Sequence, residues 1–169
     1  TINKGSSEYI SLGFSYPFVL KRNTEIGFDL TTTVQNSHQD LYQDDIRQSN
    51  VSTDRIRAVR VGLNGRRSLK GSYNTARFTF SQGFEGLNDT LSAGQQKSNL
   101  DSKANFSTYK LDLSRQQYIG KDGIILELNA SGQIANSQLP TPEKFSFGGP
   151  YYGRGFANSH IFGDAGWSS

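Results

Sequence analysis

The segment from Leu139 to Phe156 concentrates the residues of this chain that are shaped for a specific contact. Prolines (Pro140, Pro142, Pro150), glycines (Gly148, Gly149, Gly153, Gly155) and aromatics (Phe145, Phe147, Tyr151, Tyr152, Phe156) describe a loop with a defined shape, not a flexible linker. Glycine on both sides of Arg154 lets the backbone bend tightly or approach another wall closely. Held at the tip of such a loop, a planar guanidinium pairs with a carboxylate through two parallel hydrogen bonds. A surface turn that carries an arginine has the same composition, and composition weighs the two readings equally.

Other chemistry finds little support. His38 and His160 are the only histidines, and both fall in stretches that read as loops, with no partner motif around either. Asp40, Asp44 and Asp45 have the chemistry to hold a cation, although loop acids are ordinarily just solvated. Zero Cys excludes disulfide frameworks, Cys-ligated zinc and thiol catalysis. Arg55, Arg57, Arg60, Arg66, Arg67 and Lys70 form a basic stretch, yet a net charge of +3 is too mild to argue for nucleic acid. Alternation along a strand explains that stretch more simply, with Arg60 on one face and Arg66, Arg67 and Lys70 at a turn. The glycines near Arg154 are no phosphate loop, because no strand–loop–helix surrounds them. The expectation is therefore a protein without catalytic residues, cofactor or metal.

The elements that carry this loop are strands. Only 34% of the residues are hydrophobic, so no run approaches the ~20 apolar residues of a membrane-spanning helix. Period-two alternation repeats six times instead, over about 9–18, 24–35, 55–66, 73–83, 106–117 and 124–135. On the second of these, Ile26, Phe28, Leu30, Thr32 and Val34 oppose Glu25, Gly27, Asp29, Thr31 and Thr33. A seventh strand starts near Gly166. Tight turns of Gly, Asn, Asp and Lys join the strands at one end, while 36–54, 84–105 and 136–165 read as long polar loops at the other.

Two classes fit this pattern. A soluble β-sandwich points its apolar residues inward, and an outer-membrane barrel points them outward. Four alternate apolar residues span ~23 Å at ~3.3 Å per residue, close to the ~25 Å apolar band of such a barrel. Glu25, Asp29, Arg60, Arg77, Lys110, Asp112 and Glu127 would then face a wet lumen. The loop asymmetry and the aromatic strand ends favour the membrane. A passive porin or receptor barrel and a soluble binding module remain as alternatives.

Leu139-Pro140, Glu143-Lys144-Phe145, Gly148-Gly149, Arg154-Gly155-Phe156 and Gly163-Asp164-Ala165-Gly166 resemble the consecutive signatures of the two-partner secretion transporters, the TpsB family of the BamA-like superfamily. Gln82-Gly83-Phe84-Glu85-Gly86-Leu87 and Gly132-Gln133 are similar to family patterns as well. The resemblance implies part of a sixteen-stranded transmembrane β-barrel in the bacterial outer membrane, a pore for one large TpsA-type exoprotein (hemolysin activation and secretion, type V). It places these strands as the sixth to eleventh and 136–165 as the sixth external loop, folded back into the lumen. Gly153, Arg154, Gly155 and Phe156 become the transport motif, supported by Gly148, Gly149, Gly163, Asp164 and Gly166. The family's Arg meets an acidic residue on later strands, which, like the POTRA domains, lie outside these residues. Gly153 stands where the family usually has Val, which implies a more mobile tip. The implied partners are the exoprotein and outer-membrane lipid, and no nucleic acid.

Overall fold

The computed structural model describes residues 2–43, 46–85, 101–120, 123–147 and 161–168. Six long strands follow one another: β1 (Ile2–Lys21), β2 (Thr24–Gln43), β3 (Ile46–Leu69), β4 (Ser72–Gly83), β5 (Ser107–Ile119) and β6 (Ile124–Ala135). A 3-10 turn at Thr141–Glu143 and the short strands β7 (Phe145–Phe147) and β8 (Ile161–Gly163) precede β9 (Gly166–Ser168). The main sheet has the order β1-β2-β3-β4-β5-β6-β9, with every neighbouring pair antiparallel, and β7 pairs with β8. This is the all-β meander that the alternation predicts.

The tight turns share one end of the sheet. Arg22 and Asn23 join β1 to β2, and Lys70 and Gly71 join β3 to β4, with Gly71 at φ 78. Gly120 (φ 69) and Gly123 (φ 74) open and close the turn between β5 and β6. Left-handed backbone at these places is what glycine adopts without strain.

Register decides which residues share a face. Tyr16, Phe28, Leu63, Phe78, Leu111, Gly132 and Trp167 are paired in one row across the sheet. The row beside it, one residue along each strand, is Ser15, Asp29, Gly62, Thr79, Lys110, Gln133 and Gly166, on the opposite face. The apolar face stays uncovered: Leu12 is 79% exposed and Trp167 81%. A soluble sandwich hides such a face beneath a second sheet. No described element lies over it here, so lipid is the environment that suits it.

The outward face of β3 measures the apolar band. Arg57 and Arg67 bound Val59, Val61, Leu63 and Gly65, the outward residues between them. That interval is ~33 Å along a strand and, at a tilt of ~40°, about 25 Å along the membrane normal.

The polar stretch 36–54 is a strand pair, which corrects its reading as a long loop. β2 and β3 stay hydrogen-bonded from Asn36↔Arg55 to Gln43↔Ile46, and β1 follows them out to Ile2↔Tyr42. Above the bilayer neither face has to be apolar, so the period-two signal fades while the backbone ladder continues. His38 therefore lies on β2 and not in a loop. A bulge interrupts the β1–β2 register between Pro17 and Val19, where Pro17 has no N–H to give the ladder.

Candidate functional site

The inner face is a wall of matched charges. Arg77 Nη2 donates to Asp29 Oδ2 at 2.9 Å, and Asn64 Nδ2 to Asp29 Oδ1 at 3.1 Å. Gly62, directly opposite Asp29, makes room for that carboxylate: a Cβ there would stand 2.5 Å from Asp29 Oδ2. Glu25 pairs with Arg66 one strand away, and Lys110 Nζ lies 3.3 Å from Asp112 Oδ1. Ser131 Oγ donates to the same Asp112 oxygen at 2.6 Å. The Glu25–Arg66 and Lys110–Asp112 pairs are partly exposed and each contribute little stability, less than ~1 kcal/mol, whereas the Asp29 carboxylate is buried. The effect of these pairs is to present hydrogen-bonding groups and little unbalanced charge through the middle of the wall.

Against this wall sits the base of the long connection 136–147. Arg60, on the inward row between Thr31 and Ser81, pairs with Glu143 and also donates to Thr33 Oγ1. Thr33 Oγ1 in turn donates to the Ala58 carbonyl at 3.3 Å. Gln133 Nε2, on β6, donates to the carbonyls of Glu143 (3.0 Å) and Asp164 (3.4 Å), holding both ends of the connection. Asp164 Oδ1 accepts the Leu139 N–H at 2.8 Å. Burial raises the Glu143 carboxyl above the ordinary 4.5, against the pull of the Arg60 guanidinium.

Apolar contacts complete the anchor. Leu139 (0% exposed) and Phe106 (1%) pack on Ile56 and Ala58, the inward residues of β3 near the open end. Gly166 has no side chain on the inner wall, and a Cβ there would come within 2.8 Å of the Phe145 ring. Phe145 pairs with Gly163 and Phe147 with Ile161, so β7 and β8 form the stem of an inward hairpin.

Of the residues singled out in the sequence, the structure brings Gly163, Asp164 and Gly166 together at this stem. Gly148, Gly149, Gly153, Arg154, Gly155, Phe156 and His160 lie outside the described residues. His38 has partners after all: its Nδ1 is 3.0 Å from Thr53 Oγ1, and its Nε2 is 3.0 Å from Asp40 Oδ2. Asp44 and Asp45 also lie outside the described residues, among which no group of three metal-ligating side chains occurs. The Arg60–Glu143 and Leu139–Phe106 contacts were missed in the sequence. Inward alternation marked Arg60, but nothing local pairs it with a residue 83 positions away.

The family model of the haemolysin secretion/activation proteins ShlB/FhaC/HecB matches residues 2–169. Among solved structures, CdiB from Escherichia coli is similar at 22% identity with a TM-score of 0.79, over 98% of this chain and 30% of that one. The chain thus spans under a third of that structure, and at this identity the likeness speaks for the fold. A comparison with curated proteins finds no match.

Proposed function

The chain belongs to the ShlB/FhaC/HecB haemolysin secretion/activation family, transporters of the bacterial outer membrane, and we propose that it forms part of the wall of a pore through which one partner exoprotein leaves the cell. The observation that carries this reading is the anchored loop base. A passive pore needs only a polar lumen, whereas here Arg60, Gln133, Leu139 and Phe106 hold a hairpin stem against the inner face. A polar wall with paired charges suits an unfolded chain in transit, since it offers exchangeable hydrogen bonds, and the exposed apolar residues Leu20, Tyr118 and Ile125 lie apart from them at the tight-turn end. The task is passage, with no bond made or broken and no cofactor.

In the same proposal, Arg154 lies beyond that stem, between Gly153 and Gly155, and docks on a lumenal carboxylate as a bidentate pair. Lys keeps the charge and loses the fork, so Arg154→Lys lowers secretion in part and Arg154→Ala lowers it severely. Barrel assembly survives both changes, because the strands carry the membrane band. The test is exoprotein release from cells whose outer membranes hold matched amounts of each variant. Wild-type release by Arg154→Ala would reduce the loop to a surface turn.

A further inference from the structure

The cations of the sheet divide by face. On the inner wall Arg60, Arg66, Arg77 and Lys110 each have a carboxylate within salt-bridge distance. On the outer face, at the end with the tight turns, Lys21, Arg67 and Arg115 have none among the described residues. Arg115 Nη2 donates instead to the neutral Gln117 Oε1 at 2.7 Å. Register sets these three on one level: Lys21 pairs with Thr24, Thr24 with Arg67, Arg67 with Asn74, and Asn74 with Arg115. They occupy every second strand, so neighbouring cations stand roughly 10 Å apart, two strand spacings of ~4.8 Å. All three are exposed.

Next to this row, toward the membrane centre, the apolar face has a dip. Gly65 pairs with Ala76, and these small residues lie between Ile26 and Leu113. The result is a shallow groove of about 800 Å³ whose lining includes Arg67, Asn74 and Arg115 at its lip. Packing does not demand the glycine: the nearest atom to a Cβ on Gly65 would be the Ala76 carbonyl oxygen, 4.0 Å away. The fold therefore leaves an apolar trough where a larger side chain has room, directly above two guanidinium groups without a counter-ion.

We propose that this trough and its cationic lip hold an anionic glycerophospholipid of the periplasm-facing leaflet. An acyl chain lies over Gly65 and Ala76, and the phosphate sits between Arg67 and Arg115. Charge complementarity selects this occupant. Two guanidinium forks in reach of one site match phosphate oxygens, and no outward carboxylate on β1–β6 at this level opposes an anionic headgroup. The inference rests on the outer-membrane reading for its direction, since the tight-turn end must face the periplasm.

The experiment is native mass spectrometry of the full-length, detergent-extracted protein with added phosphatidylglycerol or phosphatidylethanolamine. The wild type retains phosphatidylglycerol with a preference on the order of tenfold. Arg67→Gln with Arg115→Gln brings the two lipids to parity. Arg67→Lys with Arg115→Lys, the milder pair, keeps part of the preference. Gly65→Leu lowers retention of both lipids with every charge in place. Lys70→Gln, at the turn and outside the groove, changes nothing. Undiminished preference in the Arg→Gln pair would overturn the site, and so would an equal loss in Lys70→Gln, which would mean diffuse surface charge. Secretion measured on the same variants separates the two proposals. Lost lipid preference with normal secretion leaves the pore standing, and normal lipid preference in a protein that secretes nothing removes the pore alone.

Discussion

Strands β1, β2 and β3 run for 20, 20 and 24 residues, whereas β4, β5 and β6 run for 12, 13 and 12. A tilted membrane crossing needs about 9–11 residues. The second group is therefore little longer than the crossing, and the first is about twice as long. Both groups share the same apolar rows and the same polar wall, so the difference arises above the membrane. In β1–β3 the backbone ladder itself carries on outward. In β4–β6 the strands stop, and residues 101–106 and 136–147 lie against the inner face, where Phe106 and Leu139 pack on Ile56 and Ala58. The two solutions meet where Ile56 and Ala58 of β3 lie under Phe106 and Leu139. One half of the sheet projects, and the other is plugged from its own loops.

The largest effect that would break this division lies within the shared band. Phe28→Arg on the outward row of β2 costs ~2–4 kcal/mol or blocks membrane assembly. Asp29→Asn, its lumenal neighbour, keeps the side-chain shape and leaves membrane assembly intact. A heat-modifiability gel of the intact protein reads both, and equal tolerance would reverse the outward assignment.

The plugged half depends on Leu139. Its truncation to Ala leaves a void beside Phe106 and costs about 2 kcal/mol or more of loop docking, with little effect on the strands. Proteolysis of the assembled barrel checks this: clipping within 136–147 rises while heat-modifiability stays. Unchanged clipping would mean that polar contacts alone hold the base.

Glu143 makes the same anchor pH-dependent. Its carboxyl titrates above 4.5 when docked, because burial outweighs the help from Arg60. The docked loop thus binds its proton more tightly than a released loop does. This contribution to docking is fully present below about pH 4.5 and is lost as pH rises through the raised value. Clipping should increase over that window in the wild type and stay flat in Glu143→Gln. The opposite slope would show that the ion pair dominates burial.

The smallest effect belongs to the projecting half. His38→Ala removes the contacts to Asp40 and Thr53 on a polar ladder, at a cost below ~1 kcal/mol and with secretion unchanged. A severe secretion defect would make the extension part of the transport path.

The same contrast explains what could be read from the sequence. Phe28, Leu30, Val61 and Leu63 alternate because lipid and water impose opposite demands on neighbouring residues, so the meander and its apolar face were legible. Above the bilayer that demand ends. Ser37, His38 and Gln39 alternate in nothing, and the extension of β2 and β3 left no trace. The glycine signatures drew attention to the stem, where Gly163, Asp164 and Gly166 do gather. The contacts that hold it, Arg60 to Glu143 and Leu139 to Phe106, join distant positions by tertiary geometry, which no local spacing encodes.

The tight turns also govern the order in which this wall can form. Each connection of two to four residues brings the ends of its strands together at small entropic cost, so β1–β2, β3–β4 and β5–β6 can zip early. The β2–β3 pair, whose strands are also only two residues apart, zips with them. A connection roughly ten times longer than a two-residue turn costs about 2 kcal/mol more to close. Pairing of β4 with β5, and of β6 with β9, therefore waits until the ladder contacts along those edges accumulate. The Leu139–Phe106 contact requires both long connections to be in place. It closes only after the hairpins have zipped.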